Sequence, residues 1–271
     1  DCYNTLGYFT YLRPRDVLPK AKAAAAKALE LDDSLAEGLT SLAHVSAFFD
    51  RDWPSAERLY RQAIALNPGY ANAHQRYGEF LTAMGRFEEG IAEGKRAQEL
   101  DPLSPLITLN LAGIYFFARQ YGEALTHYHK AIELDPYFVP VYGFLASFHA
   151  ERGDYEQARA AIEKARSLVG GDSPTLNIHF AWLNALTGDQ NDAERALRTL
   201  DELSKQEYVS PFEIASVYLA LGQNDQVFMW LEKADEERIP WMVFLKVWPL
   251  YDRVRSDKRF VALLKKIGLE K

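Results

Sequence analysis

Two histidines that flank a tyrosine, His127 and His129 around Tyr128, form the grouping in this sequence that most suggests chemistry. Imidazole nitrogens bind transition metals and exchange protons near neutral pH. Their spacing argues against a shared site, because residues two apart on a helix point about 200° apart. We therefore interpret the pair as two histidines on a helix surface, with the tyrosine between them in the core.

The rest of the sequence offers no catalytic constellation. The other histidines are dispersed, and the sequence has no HExxH, GxSxG, GxGxxG, GKS or GKT motif. Adjacent carboxylates at 88–89 and 235–237 fit solvated helix surfaces or helix ends. An enzyme would need a His/Asp/Glu cluster that the surrounding pattern does not explain. We predict a chain that is not an enzyme and that binds neither a metal nor a cofactor.

The composition of the chain disfavours several classes of partner and of structure. The 271 residues are 48% hydrophobic, which allows a sizeable core, and the net charge of −7 disfavours gripping nucleic-acid phosphates. A single cysteine, Cys2, excludes an internal disulfide framework. No apolar run approaches the roughly 20 residues that span a bilayer. We expect a cytoplasmic protein without membrane contact. The start at Asp1, in what resembles the middle of a helix, suggests a region excised from a longer protein.

Self-similarity at a fixed spacing is the strongest pattern in the sequence. The tripeptides LNP, LDP and LDP begin at residues 66, 100 and 134, and LDD begins at 31. The preceding segments AERLYRQAIALNP, GIAEGKRAQELDP and ALTHYHKAIELDP align without gaps. A period near 34 residues is that of a helix–turn–helix repeat.

This pattern resembles the tetratricopeptide repeat. The fourth copy matches its signature of large, small, aromatic and proline positions with Leu111, Ala112, Tyr115, Tyr121, Ala124, Tyr128, Ala131 and Pro136. The resemblance implies an all-α, right-handed superhelical solenoid of about seven repeats, which we place near 1–34, 35–68, 69–102, 103–136, 137–170, 174–207 and 208–238.

Small residues and turn residues explain the period. Alanines such as Ala124 fall where two helix backbones approach closely. Gly85, Gly153, Gly188 and Gly222 permit the tight turn between paired helices. We predict helix pairs at 1–12/15–31, 35–49/53–66, 70–84/87–100, 104–117/121–134, 138–152/155–168, 174–187/190–204 and 210–221/224–236.

Residues 239–271 depart from the repeat, and we predict that they cap the solenoid formed by residues 1–238. Pro240 and Pro249 bracket a short apolar helix, and Ser256 is the expected N-cap of a final helix. That helix carries one apolar stripe, which would shield the last repeat. A membrane-surface helix is a weaker interpretation, since the stripe is short and its charges are few.

The two ends of the chain also resemble tetratricopeptide regions of large bacterial signalling and regulatory proteins, which follow a winged-helix, adenylate-cyclase or Ser/Thr kinase domain. The resemblance implies a protein–protein interaction module with a sensory or scaffolding role. An alternative is an oligomerisation platform, with a second copy of the chain as partner. It is suggested by apolar groups that we expect to be exposed near Trp241, Phe244 and Trp248.

In this family the first helix of each repeat lines the concave groove. The resemblance thus predicts a groove that binds a protein or peptide segment through Asn72, Gln75, Arg76, Glu79, Asn110, Phe116, Phe117, His179 and Trp182. Aromatic and arginine side chains dominate such binding energy, while amides fix the register of a bound backbone. An alternative for the three aromatic residues is packing between neighbouring repeats.

Some members of the family clamp the C-terminal carboxylate of chaperones. Asn110 matches that clamp, but Gln75 and Glu79 replace its lysine and asparagine, and Pro140 and Phe144 replace its next lysine and arginine. Binding of chaperone tails is therefore not expected.

Overall fold

Helices account for all the regular structure in the part of the chain described here, residues 2–171, 173–203 and 208–270 of a computed structural model. Fifteen α-helices follow one another in these ranges: α1 (Cys2–Tyr8), α2 (Pro14–Leu31), α3 (Ala36–Val45), α4 (Trp53–Leu66), α5 (Ala71–Ala83), α6 (Phe87–Leu100), α7 (Pro105–Phe117), α8 (Tyr121–Leu134), α9 (Val139–Glu151), α10 (Tyr155–Val169), α11 (Pro174–Leu186), α12 (Gln190–Leu203), α13 (Pro211–Ala220), α14 (Asn224–Glu236) and α15 (Lys258–Ile267). A π-helical turn, Ser46–Asp50, extends α3, and two 3-10 helices, Pro240–Phe244 and Pro249–Val254, precede α15.

The helices pair in sequence order, which confirms the predicted all-α solenoid. Each odd-numbered helix packs against the even-numbered helix that follows it, and each pair packs against the next. The odd-numbered helices α1 to α13 also contact one another in succession. We call this continuous set of seven helices the inner layer. The observed bounds agree closely with the predicted pairs, except that the first helix ends at Tyr8 rather than near residue 12.

Close approach between paired helices depends on small side chains. Ala124 and Ala131 on α8 are fully buried, as the repeat pattern predicts. Between α5 and α6 the backbones are closer still. A Cβ atom added to Gly90 would lie 2.6 Å from Thr82 Oγ1 and 3.0 Å from the Gly78 carbonyl oxygen. Glycine at residue 90 is therefore required by sterics where other repeats carry alanine.

The tight turns inside the repeats use a left-handed residue at equivalent positions. Gly85 and Gly153 have φ of +80° and +83°. The positions 34 residues before each of them hold Arg51 and Arg119, with φ of +61° and +64°. A left-handed conformation is strained for arginine, and both side chains form ion pairs with aspartates near the C-terminal end of the chain.

Residues 239–255, which we call the return segment, fold back onto the inner layer. The expected apolar helix between Pro240 and Pro249 is instead the first of two short 3-10 helices. The final helix is capped by Asp257, whose carboxylate accepts a hydrogen bond of 2.9 Å from the Arg259 backbone N–H, and not by Ser256. Serine at 256 lies one residue too early because α15 begins only at Lys258.

The second and last repeats meet. Arg51, after the π-helical turn, forms an ion pair with Asp235 on α14, and both side chains are more than nine-tenths buried. Lys266 on α15 binds the same carboxylate at 2.7 Å. A Cβ atom on Gly268 would lie 3.3 Å from the Trp53 indole nitrogen. The solenoid thus closes on itself, with the return segment inside.

Candidate interaction surface

The inner layer and the return segment meet through a connected set of aromatic rings. Phe244 lies at its centre and is 2% exposed. Its ring stacks on Phe117 of α7 at a centroid distance of 4.9 Å and on Phe48 of the π-helical turn at 5.9 Å. Aromatic pairs at these distances add attraction beyond the apolar area they bury. One side chain of the return segment therefore joins the second and fourth repeats.

Trp241 and Trp248 lie on either side of Phe244 in the sequence, and Trp241 extends the contact towards the first repeat. Trp241 lies 4.9 Å from Tyr8 of α1 and 5.8 Å from Phe144 of α9, measured between ring centroids. The first 3-10 helix also approaches α5. Trp241 accordingly joins the first repeat to the fifth.

Trp248 adds a polar anchor to this aromatic set. Its ring contacts Phe117 and Phe212 of α13, each at a centroid distance of 5.5 Å. Its indole N–H donates a hydrogen bond of 3.0 Å to Glu151 Oε1 on α9. Burial raises the pKa of Glu151 to about 8. Burial thus favours the neutral form of a carboxyl group that an indole N–H can reach.

Charged side chains hold the outer end of the return segment. Arg119 Nη2 lies 2.9 Å from Asp252 Oδ2, with side chains 41% and 45% exposed. Arg255 binds the same carboxylate at 2.6 Å through its Nε. Exposed pairs of this kind contribute little to stability, so the aromatic contacts dominate the attachment.

A polar cluster lies in the third repeat of the inner layer, where the sequence predicted groove residues. Arg76 Nη1 and Gln75 Nε2 each lie 3.4 Å from a carboxylate oxygen of Glu79. The guanidinium also lies over the Tyr8 ring, 5.6 Å from its centroid. Burial raises the pKa of Glu79, while the Arg76 charge opposes that shift. The structure brings these three predicted residues together, and Asn72 remains exposed beside them.

The predicted aromatic residues have intramolecular partners. Phe116 and Phe117 on α7 are 5% and 6% exposed, and Phe116 packs against Phe148 of the next repeat at 6.2 Å. Trp182 on α11 is 4% exposed. These observations match the alternative of packing between repeats. Asn110 and His179 are half-buried on α7 and α11.

The histidine motif has the structural role proposed for it. Tyr128 is 1% exposed, while His129 is exposed. His127 Nδ1 lies 2.9 Å from the Glu123 carbonyl oxygen, and its ring contacts Tyr115. In the described ranges no three His, Cys, Asp or Glu side chains are grouped as a metal site would require. Nor does any helix within them have an apolar stretch long enough to cross a bilayer.

Sequence reasoning missed the residues that close the solenoid and those that fix the return segment. Arg51 and Arg119 occupy turn positions where the repeat favours glycine, and both reach carboxylates of the C-terminal region. An arginine in place of a turn glycine was the available signal. Glu151 had no such signal, because nothing in a helix pattern shows that residue 248 will approach it.

Comparisons with known proteins agree with this architecture. A family model described as "Tetratricopeptide repeat" matches residues 50–108 and 118–174. Hsp70-Hsp90 organizing protein 2 of Arabidopsis thaliana is 30% identical over 89 residues, which are 33% of this chain and 16% of that protein. Transcriptional regulator HilA of Salmonella typhimurium is 22% identical over 272 residues, covering 97% of this chain and 45% of that protein.

Among solved structures, the APC/C hetero-tetramer Cut9-Hcn1 has a TM-score of 0.61 at 15% identity, covering 96% of this chain and 54% of that one. That likeness concerns the fold alone. The chain spans less than half the length of either curated relative.

Proposed function

The chain carries tetratricopeptide repeats over residues 50–108 and 118–174, and from that premise we propose that it is a protein–protein interaction module which binds a partner segment on its inner layer. One observation carries the proposal. The inner layer already holds a segment, the chain's own residues 239–255, through side chains on α1, α7, α9 and α13. A surface that binds one apolar segment has the shape and chemistry to bind another.

The inner layer combines two kinds of contact that suit a peptide. Phe117 shows that the inner layer binds an aromatic ring, since Phe244 of the return segment stacks on it, and the exposed Asn72 lies beside the polar cluster of Gln75, Arg76 and Glu79. Interfaces of this composition draw most binding energy from a few aromatic and arginine side chains. With Asn110, Phe116, His179 and Trp182, these residues form our proposed groove.

The regulatory setting is part of the proposal. The similarity to HilA extends over nearly the whole chain but under half of that regulator. This supports a role as the sensory or scaffolding region of a larger bacterial signalling or transcription-regulatory protein, working in the cytoplasm. The module itself is proposed to contact protein rather than nucleic acid, in keeping with its net charge of −7.

The alternative of an oligomerisation platform loses its motivation. It rested on exposed apolar groups at Trp241, Phe244 and Trp248. Phe244 is buried, and both tryptophans are half-buried in ring contacts with the inner layer. These three residues are therefore unavailable for self-association while the return segment is docked.

Site-specific cross-linking tests the proposed binding surface. A photoreactive amino acid placed at Asn72, which is exposed on α5, is expected to capture a partner protein in native lysate. The same probe at Glu133, exposed on the outer helix α8, is the matched control. Capture from Glu133 and not from Asn72 would place the partner on the outer surface and refute the proposal.

A further inference from the structure

The return segment reveals what kind of partner the inner layer selects. Building on the proposed function, we propose that the inner layer is a binding site for an apolar segment with the spacing Trp-x-x-Phe-x-x-x-Trp-Pro, as at residues 241–249. The return segment holds this site in cis, and a partner segment of the same type displaces it. Three features of the contact support this assignment.

The return segment is attached as a bound peptide would be. The backbone N–H groups of Met242, Leu245 and Tyr251 donate to carbonyl oxygens of the segment itself, and those of Val247 and Trp248 both donate to the Phe244 carbonyl oxygen at 2.9 Å. Its contacts with the inner layer are made through side chains. One of these side chains, Arg253, donates a hydrogen bond of 3.3 Å to the Leu219 carbonyl oxygen on α13. Release of the segment therefore breaks this side-chain hydrogen bond but none of the helical backbone–backbone hydrogen bonds within the inner layer described here.

The contact distinguishes tryptophan from other apolar residues. The Trp248 N–H meets Glu151 Oε1 at 3.0 Å between two rings of the inner layer. A phenylalanine in that place would fill the ring contacts but leave the buried carboxyl oxygen without its donor. Buried polar groups that lose their partner discriminate strongly between ligands. Glu151 is thus the specificity-determining residue of the site.

The two ends of the return segment are held by a strained residue and by a weak ion pair, which ease its release from the inner layer. Arg238 joins α14 to the return segment and has a left-handed φ of +56°, a strained conformation for arginine. At the far end, the Arg119–Asp252 pair is exposed to solvent and screened by salt. The segment therefore leaves by losing its aromatic anchors rather than by unfolding a helix.

Tethering favours the return segment over a free peptide. A covalently linked segment acts at an effective concentration of ~1 mM or more, whereas a free peptide is present at far lower concentration. A partner must therefore match all three aromatic anchors. Weakening one anchor of the return segment should open the site to a peptide that keeps all three.

The test uses the full chain and a fluorescent peptide with the sequence of residues 239–255. Fluorescence anisotropy is expected to show that Trp248→Ala binds this probe at least ~10-fold more tightly than wild type. Trp230→Ala, which removes a tryptophan on α14 outside the contact, should behave as wild type. A probe with phenylalanine at the position of Trp248 should bind at least ~10-fold more weakly than the unmodified probe.

Hydrogen exchange on the wild-type chain decides the question even if Trp248→Ala does not fold. The Val247 and Trp248 amides are expected to exchange at least ~10-fold faster than the most protected amides of α7 and α9, through release of the segment alone. Equal protection, or equal probe binding by the three proteins, would overturn the inference. A partner cross-linked at Asn72 without probe binding defeats this inference only, whereas capture from Glu133 and not from Asn72 defeats the proposed function and this inference with it.

Discussion

Arginine stands at two of the turns that join paired helices, and the two arginines differ in what surrounds them. The Arg51 side chain is 6% exposed in its pair with Asp235, whereas the Arg119 side chain is 41% exposed in its pair with Asp252. Losing a buried partner strands the remaining charge, while losing an exposed one costs little. The same substitution should therefore have very different effects at the two turns.

We predict that Arg51→Gly lowers the free energy of unfolding by about 3 kcal/mol, a value moderated because Lys266 still binds Asp235. Arg119→Gly should change it by less than about 1 kcal/mol, since relief of backbone strain offsets the lost pair. Urea denaturation of both variants measures the two values. Similar losses at the two sites would contradict the role assigned to burial.

His44 should make stability dependent on pH. Burial, and then the Arg76 charge, lower its pKa well below 6.5. The unfolded chain therefore binds a proton below pH 6.5 that the folded chain does not, so the stability of the folded state decreases as pH decreases. His44→Phe lacks this proton-linked loss. As pH decreases below 6.5, the unfolding free energy of wild type should therefore fall relative to that of His44→Phe by up to about 1.4 kcal/mol per pH unit.

The control for that prediction is His129→Gln, because His129 is exposed on α8. Its unfolding free energy should follow the wild-type pH profile. Urea denaturation at several pH values between 4.5 and 7.5 gives the comparison. A pH-independent difference for His44→Phe would mean that His44 titrates normally in the folded chain.

At the scale of the helices, two glycines predict opposite outcomes for the same substitution. A Cβ atom on Gly90 would clash with Thr82 Oγ1, which is hydrogen-bonded to the Gly78 carbonyl oxygen at 2.8 Å. Gly113, within α7, has open space at that position. Gly90→Ala should destabilise the protein by about 1–3 kcal/mol, and Gly113→Ala should stabilise it by about 0.5–1 kcal/mol. Thermal denaturation distinguishes the signs.

Overpacking tests the alanines of the repeat. Ala124 is fully buried where α8 crosses its neighbours, and Thr126 is exposed on the same helix. Ala124→Leu should cost about 1–3 kcal/mol of unfolding free energy. Thr126→Leu should change it by less than about 0.5 kcal/mol. If both substitutions were tolerated equally, close helix packing at that position would be disproved.

The helix pairs could be predicted from the sequence because their determinants are local and repeat every 34 residues. Ala124, Gly85 and Gly153 each act on the turn or crossing in which they lie. The cap of α15 was misplaced by one residue because Ser256 and Asp257 are both good N-caps. Local chemistry alone could not choose between two adjacent candidates.

At the scale of the whole molecule, the position of the return segment was beyond prediction. Its contacts join residues far apart in sequence, such as Trp248 with Glu151 and Asp252 with Arg119. Such pairs have no period, and several conformations of the chain would satisfy the same apolar pattern. Phe117 shows the result, because the segment that covers it cannot be read from the repeat pattern.

Burial of Glu151 beside the return segment should also make the stability of the folded chain depend on pH above neutrality. Burial raises the pKa of Glu151 to about 8, so the folded chain holds a proton that the unfolded chain releases near pH 4.5. Stability from this group is complete below pH 4.5 and decreases as pH increases to about 8. Glu151→Gln should abolish this decrease, as measured by urea denaturation at pH 5, 7 and 9. An unchanged profile would place the titration elsewhere.

Contact between the two ends of the solenoid changes how the protein tolerates loss of a unit. Linear arrays behave as one-dimensional chains, in which each unit depends only on its neighbours and one can be deleted. Here the Asp235 carboxylate must meet Arg51 across 184 residues of sequence. Excising a single 34-residue repeat would shift α14 relative to the turn at Arg51 and break the Arg51–Asp235 ion pair. The number of repeats is therefore fixed by the geometry of this contact.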